Sequence, residues 1–480
     1  MDDLAMLDAT AQADQVRRGD VSPLELVDAA ITRIEKLNGE LNAVIHPLFE
    51  RARTTARAAL PDGPFRGVPI VLKDLDGYLA GAPYHAGNKL LKEIGYTATT
   101  TSYLFAKLEA AGFVITGKAN TPELGLQPVT EPEAYGPARN PWNTAHSPGG
   151  SSGGSASAVA AGLVPIAHAG DGGGSIRIPS SMCGLFGLKP SRGRVSLGPA
   201  EGESWAGLVV RHVVARSVRD SAAVLDVVEG YMPGDPYTAP PPVRPYAHEV
   251  GANPGRLRIG LRTHAPGGLA ATDDECVAAA EDAARLLESL GHTVEPAGPP
   301  ALDDASIMEF FSTVMFSGVR ADLAELAAIA GRPVTEADVE PATWASYEMG
   351  ATIEGGAYVT ALNRLHAWSR AIVSWWTDGG FDLLLTPTLA EPPPEIGDVV
   401  ARPDEPLRAL ARAIPFAVYT APFNMTGQPA ISLPTYFSAS GLPIGVQLVA
   451  APYREDLLVR VASQVEHARP WADRRPPLHA

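Results

Sequence analysis

The chain has 480 residues, and its hydrophobic fraction of 45% and charged fraction of 19% are typical of a folded globular protein. Its formal net charge of -16 repels the phosphates of nucleic acids, so nucleic-acid binding is disfavoured. The two cysteines, Cys183 and Cys276, are too few for a disulfide framework, and no metal-ligand spacing surrounds either of them. No apolar run is long enough to span a membrane, and residues 1–20 lack the apolar core of a signal peptide, which favours a cytoplasmic protein.

Helix and strand signals alternate along the chain. A helix is predicted over 22–37, because Ser22, Pro23 and Glu25 form a capping pattern ahead of an apolar stripe. Further helices are predicted over 101–112, 155–163 and 272–290, the last of them opened by Thr272 with Glu275. Strands are predicted over 68–74, 113–118, 164–170, 257–261 and 381–388, with a hairpin formed by 430–437 and 442–450. This alternation predicts an α/β layered fold with a mixed sheet.

The segment from Ser147 to Pro190 is unusually rich in glycine and serine. A flexible linker does not account for it, because the apolar stretch 158–169 lies between the two glycine runs. A nucleotide-binding loop does not fit either, because neither run ends in Gly-Lys-Ser/Thr and no G-x-G-x-x-G follows a strand. Nucleophilic catalysis remains, since the run 171–175 supplies Ser175 with a nest of backbone amides for a developing oxyanion.

A catalytic serine needs a base to take its proton. His146 and His168 lie near the glycine runs, but no G-x-S-x-G elbow is present and both are interpreted as structural. Lys73 ends a very apolar predicted strand, where burial would lower the pKa of its amine toward neutrality. Lys73 is therefore a candidate base, although a surface lysine at a strand end is the alternative.

The stretch Gly149 to Pro190, GGSSGGSASAVAAGLVPIAHAGDGGGSIRIPSSMCGLFGLKP, resembles the signature of the amidase signature family. The resemblance continues through GVPIVLKD, GKANTPE, PFNMTGQPAISLP and LPIGVQLVA, so it covers nearly the whole chain. Segments such as ATAQADQVRRGDVSPLEL and EPEAYGPARNPWN are most similar to the branch that includes 6-aminohexanoate-cyclic-dimer hydrolases. The implied fold is an α/β/α sandwich with a central mixed sheet covered by helices.

The resemblance also implies a role for each site residue. Ser175 resembles the nucleophile, Ser151 the bridging serine held by a cis peptide bond, and Lys73 the base. The amides of Gly172, Gly173, Gly174 and Ser175 resemble the oxyanion hole, and a segment from about Gly125 to Tyr135 resembles a pocket-lining loop. Protons would pass from Ser175 to Ser151 to Lys73 and return to the leaving amine.

The chain departs from the family pattern beside the nucleophile. The family's Gly-Thr-Asp-x is here Ala169-Gly170-Asp171-Gly172, so a hydroxyl is missing at 170 and a side chain at 172. A bare Gly172 predicts more room for the acyl part of the substrate. Asp171 and Arg177 are expected to pair with each other rather than to bind substrate. Four aromatic residues are expected in the core, with pocket lining as the alternative: Trp205, Phe316, Trp375 and Trp376.

The predicted protein is an amidase that hydrolyses a non-peptide carbon–nitrogen bond of a linear or cyclic amide or an anilide, with carbamates and esters within its chemistry. One domain is predicted over 1–480, with the signature core at about 65–230, a proline-rich connection at 232–255 and pocket walls in 256–480. The expected partner is a small-molecule amide, with no cofactor, metal, nucleic acid or membrane, and a homodimer is an open option. Two alternatives stay open: the glutaminase subunit of a tRNA-dependent amidotransferase, and a non-catalytic binding relative.

Overall fold

One mixed eleven-stranded β-sheet runs through the protein in the computed structural model, which describes residues 3–402 and 404–480. Met1 and Asp2, which begin the segment considered above for a signal peptide, lie outside the described residues. The strands are β1 (Val44–Pro47), β2 (Pro69–Lys73), β3 (Val114–Ala119), β4 (Ile166–Asp171), β5 (Phe186–Lys189), β6 (Val210–Ala215), β7 (Arg258–Leu261), β8 (Thr293–Pro296), β9 (Leu383–Pro387), β10 (Ala430–Phe437) and β11 (Pro443–Ala450).

Helices connect and cover the strands. They are α1 (Asp3–Met6), α2 (Ala9–Arg18), α3 (Pro23–Leu41), α4 (Phe49–Arg57), α5 (Lys89–Glu93), α6 (Tyr103–Ala110), α7 (Gly153–Ala160), α8 (Arg177–Cys183), α9 (Val218–Val228), α10 (Asp274–Ser289), α11 (Ile307–Ala330), α12 (Pro341–Ala351), α13 (Gly355–Gly379), α14 (Arg408–Ala417), α15 (Pro422–Met425) and α16 (Glu455–Ala468). Within the described residues, none of these helices is both long and apolar enough to cross a membrane.

The strands follow the order β1-β3-β2-β4-β6-β5-β10-β11-β9-β7-β8 across the sheet. β2 runs parallel to β3 and β4, and β7 runs parallel to β8 and β9, whereas the strands in the middle of the sheet pair antiparallel. The predicted α/β class with a mixed sheet is confirmed. β10 and β11 form the antiparallel hairpin expected near the end of the chain.

Two helix starts show how far capping patterns can be read from a sequence. α3 begins as predicted, because the Ser22 hydroxyl accepts from the Glu25 amide and the Glu25 carboxylate accepts from the Ser22 amide. The prediction for α10 is wrong by one residue, because Asp273 is the N-cap and its carboxylate accepts from the Glu275 amide at 2.8 Å. Thr272 is not available for capping, since its hydroxyl bonds to Tyr419.

The parallel strands β2 and β4 bring two chemically active loops to one edge of the sheet. β2 ends at Lys73 and β4 ends at Asp171, and the two strands pair directly. α7 packs closely against this edge because its sequence, GGSASAVA, has only small side chains and is buried throughout. A Cβ on Gly154 would lie only 2.5 Å from the Asn120 amide nitrogen, so glycine is required there. The loops that precede α7 and α8 therefore meet beside the end of β2.

The proline-rich connection 232–255 runs mostly exposed over the surface and includes one short 3₁₀ turn, Tyr246–Glu249. This turn is fixed in place because the Asp226 carboxylate of α9 accepts from the Tyr246 amide at 2.6 Å. Strands from before and after the connection lie side by side, since β5 pairs with β10. The connection therefore crosses between two parts of one sheet.

Candidate active site

The Lys73 side chain is buried, with 1% of its surface exposed, at the end of β2. Its Nζ donates to Ser151 Oγ at 2.9 Å and to Asp76 Oδ2 at 2.5 Å. Burial lowers the pKa of the Lys73 amine from its ordinary value, and the Asp76 carboxylate partly opposes that shift. Lys73 is therefore a lysine with a lowered pKa in direct contact with a serine hydroxyl, as a general base requires.

Ser151 lies in the loop that precedes α7, and the peptide bond between Gly150 and Ser151 is cis. Its carbonyl accepts from the Thr121 hydroxyl at 3.0 Å, which fixes the backbone of this loop. Gly125 sits directly over the hydroxyl, because a Cβ built on Gly125 would lie 3.3 Å from Ser151 Oγ and 2.6 Å from Leu75 Cδ2. Gly125 also has a positive φ of 72°, which favours glycine.

Ser175 lies in the loop between β4 and α8 and is 9% exposed. Among the described residues, its hydroxyl makes no hydrogen bond, and the amides of Gly172, Gly173, Gly174 and Ser175 donate none. Four unpaired amides beside a serine hydroxyl are suited to bind an oxyanion. Gly172, Gly173 and Ser175 line the cavity, whereas Gly174 lies behind them, where a Cβ would meet Thr420 Oγ1 at 2.3 Å.

A fully buried ion pair holds this glycine loop. Arg177 Nη2 donates to Asp171 Oδ1 at 2.8 Å and to Asn424 Oδ1 at 2.7 Å, and Nη1 donates to Gln447 Oε1 at 2.7 Å. Burial alone would raise the pKa of Asp171, but the Arg177 guanidinium lowers it to about 2. The expected pairing of Asp171 with Arg177 is present, and both groups are satisfied within the protein rather than directed at a substrate.

Ser175 stands between two cavities of different character. The first, called the polar cavity for its charged side chains, has a volume of about 330 Å³ and a mixed lining. Its polar lining residues include Lys73, Asp76, Tyr78, Ser151, Glu201, Glu203, Arg211, Asp322 and Glu325, and apolar residues such as Leu75, Leu91 and Leu326 line the rest. The second has a volume of about 440 Å³ and is apolar, with a lining that includes Leu126, Pro128, Met308, Phe311, Met315, Phe316, Trp368, Ile414 and Val418. Gly125, Gly173, Ser175 and Trp205 line both cavities.

The polar cavity carries more acidic than basic groups. Glu201 pairs with Arg211 at 2.8 Å, but among the described residues Asp322 and Glu325 have no cationic partner within ion-pair distance. Burial raises the pKa of Asp322 to about 7, and the neighbouring Glu201 carboxylate adds to this rise. The polar cavity therefore has an excess of negative charge at and above neutral pH.

The structure brings the sequence-predicted site residues together around Ser175. Lys73, Ser151, Ser175, Gly172, Gly173 and Gly125 all line the polar cavity. The space beside Gly172 is bounded, because a Cβ there would lie 3.1 Å from Val209 Cγ2 and 3.7 Å from Trp205 Cε3. Leu126, Gln127 and Pro128 of the predicted loop line the apolar cavity, whereas Tyr135 is bonded to His85 instead.

The expectation of a core position is wrong for Trp205 and met only in part by Phe316, which is buried but also lines the apolar cavity. Trp205 lines both cavities and Phe316 lines the apolar one, whereas Trp376 is buried in the core and Trp375 stacks on Phe381. Trp205 differs from the core tryptophans because it has a positive φ of 48° and lies in a turn. No strand or helix signal in the sequence precedes that turn. The two histidines are placed as expected, with His168 fully buried against Phe105 and His146 bonded to the Pro393 carbonyl.

Sequence reasoning missed two contributors to the site. Asp76 lies three residues after Lys73, and that spacing in KDLD is a signal that could have found it. α11 was not predicted, yet its first half lines the apolar cavity and its second half lines the polar one. Within the described residues, no three histidine, cysteine or acidic side chains are placed to hold a metal ion.

Known proteins resemble the chain over almost its full length. The sequence model of the family described as Amidase matches residues 25–459. The chain is 47% identical over 478 residues to the 6-aminohexanoate-cyclic-dimer hydrolase of Paenarthrobacter ureafaciens, covering 98% of this chain and 96% of that protein. It superposes on a solved structure of 6-aminohexanoate cyclic dimer hydrolase with a TM-score of 0.95, 46% identity and 99% of each chain covered. A bacterial aryl acylamidase matches with a TM-score of 0.86 and 25% identity over 97% of each chain.

Proposed function

Because the chain belongs to the amidase signature family and is an enzyme that hydrolyses amide bonds, we propose that it works through an acyl-enzyme formed on Ser175. Ser151 and Lys73 form the proton relay. The observation that carries the proposal is the 2.9 Å hydrogen bond from Lys73 Nζ to Ser151 Oγ in the cavity that Ser175 lines. No other described lysine or histidine lines that cavity.

The relay acts once as base and once as acid. Neutral Lys73 takes the proton of Ser151, Ser151 takes the proton of Ser175, and Ser175 Oγ attacks the carbonyl carbon of the amide. The protons then travel back along the same atoms to the amide nitrogen, which leaves as an amine when the carbon–nitrogen bond breaks. Water repeats the sequence on the acyl-enzyme and releases the acid.

The developing oxyanion has donors already in place. Gly172, Gly173 and Ser175 line the cavity, and none of the described groups accepts a hydrogen bond from their amides. Thr420 Oγ1 donates to the Gly173 carbonyl at 2.6 Å, so the peptide that carries the Gly174 amide keeps its direction. Donors fixed before the reaction stabilise the tetrahedral intermediate without rearrangement, and one such donor is worth about 2.7–4 kcal/mol in other hydrolases.

The two cavities indicate how the substrate lies. Ser151 lines only the polar cavity, so a leaving amine that takes its proton must lie on that side. The acyl chain then extends into the apolar cavity of about 440 Å³, which suits a run of methylene groups. The proposed substrate is an aliphatic amide of 6-aminohexanoate type, cyclic or linear, whose acyl chain carries no charge, as the name of the 47% identical relative suggests. Anilides, carbamates and esters are further candidates on the same chemistry.

The lining of the apolar cavity argues against the alternative that this protein is the glutaminase subunit of an amidotransferase. Glutamine carries an ammonium and a carboxylate on its acyl part, and among the described residues Asp304 alone brings a charged side chain to the lining of that cavity. Burying those two charges without partners would cost several kcal/mol. The presence of Lys73, Ser151 and Ser175 around one cavity likewise argues against a non-catalytic binding relative. We also expect a cytoplasmic enzyme that needs only its small-molecule substrate, with a homodimer as an assembly to be tested by sedimentation.

The assignment of Ser175 is tested by a covalent probe. A fluorophosphonate should add one label to the wild-type protein, measured by intact mass, and abolish hydrolysis of a chromogenic anilide. Ser175→Ala should lose both the label and the activity, while Ser440→Ala, which changes an exposed serine, should retain both. Labelling that persists in Ser175→Ala would place the nucleophile elsewhere and overturn the proposal.

A further inference from the structure

Asp76 is the second polar partner of Lys73. Its Oδ2 lies 2.5 Å from Lys73 Nζ, its side chain is 13% exposed, and it lines the polar cavity beside Ser151. The amine of Lys73 is therefore held between a carboxylate and the Ser151 hydroxyl. Asp76 has a positive φ of 64°, an unusual conformation for a residue other than glycine, and this backbone carries its side chain to Lys73.

A space left by Gly170 accommodates this carboxylate. A Cβ built on Gly170 would lie 2.1 Å from Asp76 Oδ2, 2.4 Å from its Cγ and 3.0 Å from its Cβ, so its three nearest neighbours all belong to Asp76. Gly170 lies in β4 outside the left-handed region, so its own backbone conformation does not require glycine. With the Asp76 side chain in this position no Cβ fits at residue 170, where the family pattern has threonine.

We propose that Asp76 is a positioning residue for the reaction. It holds the Lys73 amine against Ser151 and stabilises the ammonium that forms there, and the absence of a side chain at Gly170 leaves the space that Asp76 occupies. The inference rests on the proposed role of Lys73 as the base. Asp76 has no hydrogen bond to the nucleophile Ser175 and acts on the reaction through Lys73.

The charge balance of the relay favours this role. When the Ser151 proton moves to Lys73 Nζ, a cation forms in a buried place, and a carboxylate at 2.5 Å compensates it. The proton later leaves Nζ for Ser151 again, so the Asp76 carboxylate ends unchanged. An aspartate supports the histidine of serine proteases in a comparable way, by orienting the base and stabilising its cation.

Other charged groups also act on this pair. Burial and Arg211 lower the pKa of Lys73, while Asp76 and Asp171 raise it. His168 lies buried nearby, and burial together with Arg211 and Lys73 keeps it neutral by lowering its pKa. Tyr84 and Asp322 face Asp76 across the cavity, and its charge contributes to the raised pKa of each.

The isosteric variant Asp76→Asn tests the charge. Without the carboxylate the pKa of Lys73 falls, so more of it is neutral at low pH. The acid limb of the kcat/KM profile should therefore move to lower pH by about 1–3 units. Because the base is weaker, the plateau value of kcat/KM at higher pH should also fall about 10- to 100-fold. Asp62→Asn, at an exposed site, should leave both unchanged. A lowered plateau with the wild-type acid limb would mean a merely structural role and would overturn the inference.

Gly170→Ala tests the space independently. The added methyl group must displace Asp76, so this variant should show the same shift of the acid limb as Asp76→Asn. The double variant Asp76→Gly/Gly170→Ala should match Asp76→Gly alone, because the obstructed carboxylate is gone and a positive φ suits glycine. Additive losses in this double-mutant cycle would show that Gly170 serves something other than Asp76.

Failure of this inference can be told apart from failure of the proposed function. If Ser175→Ala and Lys73→Ala lose activity while Asp76→Asn and Gly170→Ala keep the wild-type acid limb, the relay stands and Asp76 has no part in it. If Lys73→Ala retains amide hydrolysis, the relay itself is wrong. Melting temperatures of all variants, measured beside the kinetics, show that each comparison is made on folded protein.

Discussion

At the residue scale, the Lys73 amine has two polar neighbours and almost no contact with solvent. This environment determines how the protonation of Lys73 responds to pH. Lys73 can act as a base only when neutral, and burial lowers its pKa so that the neutral form is reached at lower pH than for a surface lysine. Amidase activity should therefore rise with pH through the pKa of Lys73. The same residue must later return a proton, which matters most when the leaving group is a poor one.

Lys73→Ala should lose more amidase than esterase activity. An amide nitrogen must be protonated to leave, whereas the alkoxide or phenolate of an ester leaves more readily, so only the amide needs the acid step. We expect kcat/KM to fall about 100- to 10,000-fold for an anilide and markedly less for an aryl ester of the same acid. The two substrates are compared in parallel on wild-type and variant protein, and equal losses would argue against the acid step.

Gly125→Ala should impair catalysis through contact with Ser151. Its Cβ would lie 3.3 Å from Ser151 Oγ and 2.6 Å from Leu75, at a residue with a φ of 72°. Gly81→Ala is a matched control, because Gly81 has a φ of 76° and open space around it. Both variants should lose about 1–2 kcal/mol of stability from the backbone, measured by urea unfolding. Only Gly125→Ala should lower kcat. Equal kcat values for the two variants would show that Gly125 has no part in the site.

At the element scale, the glycine loop shows how the fold holds the nucleophile in place. The Arg177–Asp171 pair connects the loop to α15 through Asn424 and to β11 through Gln447. Its carboxylate stabilises the folded state, because the pKa of Asp171 is about 2 when folded against an ordinary value of 3.8. This contribution is complete above the ordinary value and is lost as the pH falls from there through about 2.

Arg177→Met should destabilise the protein strongly, because it leaves Asp171 buried without a cation. The expected loss is about 3–5 kcal/mol in the free energy of unfolding at pH 7. Arg17→Met, which breaks an exposed pair with Asp14, should cost less than about 1 kcal/mol. Urea unfolding measures both, and the gap between the two variants should narrow as the pH falls toward 2–3. A small effect of Arg177→Met would show that the loop is held by other contacts.

Local signals in the sequence predict well the helices and strands that surround the catalytic residues. Apolar runs and capping residues predict β2, β4 and α3, and the glycine–serine runs indicate the loops between them. The lining of the cavities could not be predicted in this way, because it depends on where distant elements meet. Trp205 and Phe316 have no local pattern that separates them from core residues such as Trp376. The contact between Gly170 and Asp76 likewise joins separate segments of the chain, because Gly170 lies in β4 and Asp76 follows β2.

The whole molecule presents a polar and an apolar cavity to one serine, and this predicts a preference for acyl chain length. Each methylene buried in the apolar cavity contributes about 0.8 kcal/mol, so kcat/KM for acyl anilides should rise about fourfold per carbon until the cavity is filled. Met315→Glu places a charge in that lining and should abolish the rise, whereas Ala324→Glu on the exposed side of the same helix should preserve it. A wild-type series with no dependence on length would contradict the proposed substrate orientation.

α11 spans Ile307–Ala330 and contributes to both cavities, while Lys73, Ser151 and Ser175 all precede it in the chain by more than a hundred residues. A large part of the cavity walls therefore lies in a later stretch of the chain than the catalytic residues, although Leu126, Pro128 and Trp205 of the earlier stretch also line the apolar cavity. We therefore expect substitutions in the N-terminal part of α11, which lines only the apolar cavity, to change substrate preference more than they change the proton relay.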